Sequence, residues 1–210
     1  MSPVTCSNTY PILPEQRNGV TRLMNVKSYR AAGWAAAVAV TAFVLEIALT
    51  FASQAPAYTD IISPPLVALA MTVHIAFASY ATYCLRSFLN ERYEFQGVDS
   101  LILLLVGGGI VFGFISVGSM FFLEPAVSMI LKLGVGISLG VISVLFGYRL
   151  LAVNGTIGGL KKPLAYCHII APLCFLSVVL APLGLLLLLT AGILLALIFF
   201  RNESPELEFV

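Results

Sequence analysis

The sequence predicts an all-α integral membrane protein, a bundle of six transmembrane helices with both termini in the cytoplasm. Two observations carry this: apolar residues fall in blocks long enough to cross a bilayer, and basic residues fall almost entirely in alternate connectors. Of 210 residues, 60% are hydrophobic and 10% charged, against roughly 25% charged in ordinary soluble domains. Mean hydropathy is +1.00. A hydrocarbon layer about 30 Å thick needs about 20 helical residues, and the blocks reach that length, so lipid is their solvent.

Taken in order, residues 1–29 form a polar cytoplasmic tail in which Pro3, Pro11, Pro14 and Gly19 interrupt any regular pattern. The first helix is expected over 31–53; it starts too late and runs too long for a signal-peptide core. The second, 64–85, opens on Ser63-Pro64-Pro65, and proline suits a first helical turn, where a missing amide hydrogen costs nothing. The third and fourth, 101–123 and 126–151, are joined by the tight Glu124-Pro125 turn, which makes them antiparallel neighbours. A Gly-rich connector, Asn154 to Lys162, follows; its lysines could meet an anionic headgroup but serve equally as topogenic charges. The stretch from Leu164 to Phe200 exceeds one ordinary span and is interrupted at Ala181-Pro182-Leu183-Gly184. Two short helices, 164–181 and 183–200, are expected there, with one long kinked helix, and hence five spans, as the alternative. The segment Asn90 to Gln96 is charged and aromatic, suited to an interface, and 202–210 is a solvated acidic tail.

Lys and Arg in short loops are retained on the cytoplasmic side. With six spans, all the basic residues except Lys132 fall on one side, from Arg17 through Arg86, Arg92, Arg149, Lys161 and Lys162 to Arg201. The opposite loops carry none. Localisation is accordingly a multi-pass membrane protein, of the kind found in a bacterial cytoplasmic membrane.

Net charge is +1 with no basic patch, which argues against nucleic acid. Cys6, Cys84, Cys167 and Cys174 show no CxxC or disulfide spacing, and no P-loop, HExxH, EF-hand or dinucleotide fingerprint occurs in context. No metal or cofactor is therefore expected. The partners expected are membrane lipid and other membrane proteins or further copies of the chain.

The third and fourth helices repeat one another: Gly107-x-Gly109-Ile110-x-x-Gly113-x-Ile115-Ser116-Val117 recurs as Gly134-x-Gly136-Ile137-x-x-Gly140-x-Ile142-Ser143-Val144. In lipid, helices associate by close backbone approach, which small residues on one face permit. Gly109, Gly113 and Ser116 make one such stripe; Gly136, Gly140, Ser143 and Gly147 make another. Over this hairpin alone, the chain resembles the repeating hairpins of the acid-resistance membrane protein family HdeD.

An ionisable residue inside a membrane is a functional hypothesis by default. Glu46 shares a face with Ala35, Ala39, Ala42 and Thr50; His74 with Ala70, Ala78 and Ala81; Lys132 with Gly136, Gly140 and Ser143. All three lie in the outer half, roughly 12 to 16 Å from the outer helix ends. An ion pair between Glu46 and Lys132, with His74 completing a polar cluster, is the expectation, and a purely structural role its competitor. Haem held between His74 and His168 is disfavoured by a depth mismatch of roughly 10 Å. Gly136-Ile137-Ser138-Leu139-Gly140 matches GxSxG, but inside a helix and without the strand-to-helix elbow that exposes a serine nucleophile.

Three functions follow in order of expectation. The first is a non-catalytic subunit or scaffold packed through its small-residue stripes. The second is a small transporter or channel using Glu46, His74 and Lys132, since transporters are often built from repeats with a polar site near the midplane. The third is an intramembrane serine hydrolase using Ser138 and His74.

Overall fold

The structure, a computed structural model, describes residues 17–55, 63–153, 157–177 and 179–201, with side chains from Tyr29 onward. The expected acidic tail, the first part of the amino-terminal tail and the first three residues of the Gly-rich connector, 154–156, lie outside those residues. Six α-helices account for the described chain: α1 (Arg17–Ser53), α2 (Pro64–Tyr93), α3 (Asp99–Phe121), α4 (Pro125–Leu151), α5 (Lys161–Phe175) and α6 (Ala181–Arg201). A single 3-10 turn, Ile157–Gly159, precedes α5. Among the described residues there are no strands, and the protein is a helical membrane bundle: α1, α2, α3, α4 and α6 are each long and apolar enough to cross a membrane.

Three boundaries differ from expectation, each for a local reason. α1 begins at Arg17, inside the expected tail; the last proline before it is Pro14, and Gly19 alone does not stop a helix of otherwise good formers. α2 runs eight residues past Leu85, so the charged segment begins as helix. It closes on Glu94 in the left-handed conformation (φ 49°), whose amide donates to the Leu89 carbonyl. The apolar stretch after Leu164 is two helices, but the break falls at 176–180, and Pro182 and Gly184 belong to the first turn of α6, where proline is tolerated. That earlier break leaves α5 only 15 residues, roughly 22 Å, short of the hydrocarbon thickness.

Each helix packs on the next in the chain, and α6 packs back on α1, so the six form a closed ring in chain order. Neighbours run antiparallel. Gly192 and Gly33 of the α6–α1 pair face Val40 and Phe200, so the end of α6 lies beside the start of the apolar part of α1. Arg30, Arg86, Arg92, Arg149, Lys161 and Arg201 consequently gather at one end of the bundle.

That end also holds the packed core. The largest fully buried side chains include Phe88, Phe146, Phe199, Ile102, Leu150 and Leu164, all near it. Tyr29, Phe88 and Phe199 meet ring to ring at 5.3 to 6.1 Å, Arg92 lies over the Phe88 ring, and the Tyr29 hydroxyl donates to Glu91 at 2.6 Å. In the opposite half the buried side chains are Ala42, Val67, Ala68, Ala70, Ser116, Ser128, Ala171 and Cys174, none larger than valine.

A polar lock ties α2 to α3 at the basic end. Asp99 accepts from Arg86 Nη2 at 3.1 Å and from Asn90 Nδ2 at 3.0 Å. Asp99→Ala strands the guanidinium beside the core. Because both side chains of the pair are partly solvated, the expected loss is small, below that of a fully buried pair; denaturant unfolding in detergent micelles measures it, and Asp99→Asn should recover part of it.

Candidate functional site

Glu46 stands on α1 seven residues before its end, on the face that buries Ala39 and Ala42. His74 stands on α2 on the face that buries Val67, Ala70 and Ala81. The two helices bring these faces together, and Glu46 Oε2 lies 2.9 Å from His74 Nδ1. Phe43, one turn before Glu46, packs its ring 4.7 Å from the imidazole, fixing the plane of the ring. The side chains of His74 and Glu46 are 26% and 16% exposed, so the pair is screened but not sealed. Among the described residues His74 Nε2 has no hydrogen-bond partner.

The expected ion pair between Glu46 and Lys132 is not formed. Lys132 Nζ donates to Ser119 Oγ at 2.7 Å, and Ser119 Oγ donates in turn to the Ser116 carbonyl at 2.6 Å. α1 and α4 are not neighbours in the ring; α2 and α3 stand between them. The depths do agree. Ile75, next to His74, fills the space beside Gly113 of α3, and Phe112 lies against Gly136 of α4. Lys132, four residues nearer the α4 start, is roughly 6 Å further out than His74. The three residues thus form two separate polar contacts at neighbouring levels, one per hairpin.

The small-residue stripe on α4 meets α5. An added Cβ at Gly147 would lie 2.6 Å from the Ala165 carbonyl oxygen, and one at Gly140 would lie 3.4 Å from Pro172. Between them, Ser143 Oγ lies 3.0 Å from both the His168 carbonyl oxygen and His168 Nδ1. Pro172 explains the first contact: lacking an amide hydrogen, it leaves the carbonyl four residues earlier, that of His168, without its helical donor, and Ser143 supplies one. Nδ1–H of His168 then donates back to Ser143 Oγ, and Phe146 packs edge-on against the same ring at 4.9 Å. The sequence stripe marked Ser143 only as small. The signal for this contact was Pro172, one turn beyond the only histidine on the facing helix.

The other stripe members divide. Gly113 is filled by Ile75 of α2, Ser116 is buried, and Gly136 meets Phe112 of α3, whereas Gly109 has nothing within 4 Å of an added Cβ. Gly108, outside the expected stripe, meets Leu139 of α4. Ser138 is exposed and donates to the Gly134 carbonyl of its own helix, a lipid-side back-bond with no base beside it. His74 and His168 pack in different helix pairs, on Glu46 and Phe43 in one and on Ser143 and Phe146 in the other, so they do not frame a common ligand. Lys161, one of the connector lysines, donates to the Val153 carbonyl at 2.6 Å and is occupied in tying the connector to the end of α4.

No protein-family model, no curated protein and no solved structure matches this chain. The likeness of the α3–α4 hairpin to HdeD therefore has no counterpart at the level of the whole chain.

Proposed function

We propose that this polytopic membrane protein is a small transporter or channel whose transported or coupling ion is the proton, with Glu46 and His74 as the exchanging groups. One observation carries the reading: the carboxylate–imidazole contact joins two helices that need no such contact to find each other. A buried ionic pair is retained structurally when it selects a partner or a register. α1 and α2 are consecutive and packed together, with Ala32, Ala35, Ala36 and Ala81 all buried. Their pairing is already specified. The cost of two ionisable groups in the outer half is then better explained by proton exchange. His74 shares one nitrogen with Glu46 and keeps the other free, so protonation at Nε2 yields an imidazolium already paired with a carboxylate.

The distribution of bulk supports the same reading. The basic end is filled by large side chains and the half containing Glu46 and His74 by small ones, an asymmetry suited to access from one side. Positive charges at the filled end favour placing it in the cytoplasm, with the pair reached from outside.

A second reading, the non-catalytic subunit, rests on Gly107 and Gly134, which are exposed and have open space above them. It is weakened because Gly113, Gly140, Ser143 and Gly147 are used within the chain.

Proteoliposomes loaded with a pH-sensitive dye and energised by a potassium diffusion potential test the proposal. Wild-type protein is expected to admit protons well above empty vesicles, and Glu46→Gln and His74→Gln each to lower that rate by about a hundredfold, the low end of what a lost proton-transfer group costs. Gly134→Leu should leave it unchanged. Wild-type flux equal to that of empty vesicles sinks the proposal.

A further inference from the structure

On the outer side of the α1–α2 pair, Ala31, Trp34 and Val38 face Ala76, Phe77 and Tyr80 across an apolar groove of about 510 Å³. Trp34 is 60% exposed there, and the edge of Phe200 packs against its ring at 5.4 Å. Arg30 lies next to Ala31 and one turn before Trp34, towards the basic end; it is exposed and in no ion pair among the described residues.

We propose that the groove and Arg30 form a binding site for one anionic glycerophospholipid of the leaflet at the basic end. The occupant follows from the chemistry at the two ends of the site. A groove almost wholly apolar takes an acyl chain. An unpaired guanidinium at its interfacial mouth binds a phosphate bidentately, and its aliphatic stem lies along the apolar surface while the charge reaches the headgroup level. A zwitterionic lipid brings its own cation to that charge and loses the advantage; a lipid with net negative charge keeps it. The groove lies nearer the basic end than the Glu46–His74 contact, at residues 31–38 of α1 and 76–80 of α2, and the proposal does not depend on the proposed transport.

Trp34 is the only tryptophan in the chain, so its fluorescence reports on the groove alone. Wild-type protein in mixed bilayers is titrated with brominated phosphatidylglycerol or brominated phosphatidylcholine, whose bromines quench a ring they touch. The brominated phosphatidylglycerol is expected to be preferred by about fivefold, the effect of one well-placed basic residue at a membrane surface. Arg30→Gln should bring the ratio to near one, and Arg30→Lys should retain most of it. Arg149→Gln, which removes an exposed charge of the same end on α4, should leave it unchanged. Equal quenching by the two lipids in the wild type overturns the site, as does a preference that survives Arg30→Gln. An equal fall in Arg149→Gln also overturns it, since general surface attraction then accounts for the preference. Unchanged quenching by brominated phosphatidylcholine across the variants shows that the fold and the exposure of Trp34 are intact.

Discussion

Gly147→Leu is expected to destabilise the protein by about 3 kcal/mol, at the upper end of what overpacking does in a close-packed interior. Even a methyl at Gly147 would meet the Ala165 carbonyl oxygen at 2.6 Å, the Ile169 side chain at 2.8 Å and His168 Cβ at 3.3 Å. The first of these is backbone and cannot rotate away, so α4 and α5 must separate along the line where they touch. Separation costs more here than between two soluble helices. Lipid tails are as apolar as the side chains, so helix association in the membrane rests on van der Waals fit and hydrogen bonding; a wedge removes the fit, and by widening the gap it also removes the Ser143 donor from the His168 carbonyl. Gly134→Leu on the same helix adds the same side chain to open space and should change stability by less than about 0.5 kcal/mol. Reversible unfolding in mixed micelles compares the two, and equal losses would show that the contact of Gly147 with α5 is not what sets the cost.

How far these contacts were legible in the sequence differs with the kind of information each requires. The hairpins were legible, because the three-residue connector before Pro125 or a Ser-Pro-Pro start acts locally. Depth was legible too: Glu46, His74 and Lys132 do lie within about a turn of one another, as residue counts from helix ends suggest. Partnership was not. Which of three ionisable residues at one level meet depends on the order of helices around the ring, and residue counts carry depth without order; hence Glu46 meets His74, and Lys132 turns to Ser119. The break before α6 was misplaced for a different reason: Ala181-Pro182-Leu183-Gly184 has the composition of a turn, yet proline in a first helical turn marks a beginning, and Gly184 is small because it sits against the Ala171 carbonyl and the Phe175 ring. Gly140 and Gly147 of α4 lie against α5, but the reason for a serine between them lay on another helix, in the carbonyl that Pro172 cannot satisfy.

Phe88→Ala is the second large effect, and it separates stability from permeation. Phe88 is fully buried and touches Tyr29, Tyr93 and Phe199 ring to ring, with the Arg92 guanidinium above its face. Truncating a buried phenylalanine typically costs about 3 to 5 kcal/mol, part transfer and part cavity. Where the unfolded reference remains in lipid the transfer part shrinks, since the ring leaves one apolar medium for another, and the cavity part stays. The expected loss is therefore about 3 kcal/mol. Phe114→Ala removes the same ring from a position 76% exposed, where lipid replaces it on both counts, and should cost little. The consequence for permeation is opposite in sign to that of Glu46→Gln. If the aromatic cluster closes the basic end of the ring, a cavity at its centre admits water there, and the proteoliposome assay should record faster proton entry in Phe88→Ala than in wild type, while Glu46→Gln slows it. A destabilised but otherwise indifferent bundle would lose flux in both variants, so the double variant discriminates: fast entry that still falls when Glu46 is neutralised places the aromatic seal and the Glu46–His74 pair in series along one path.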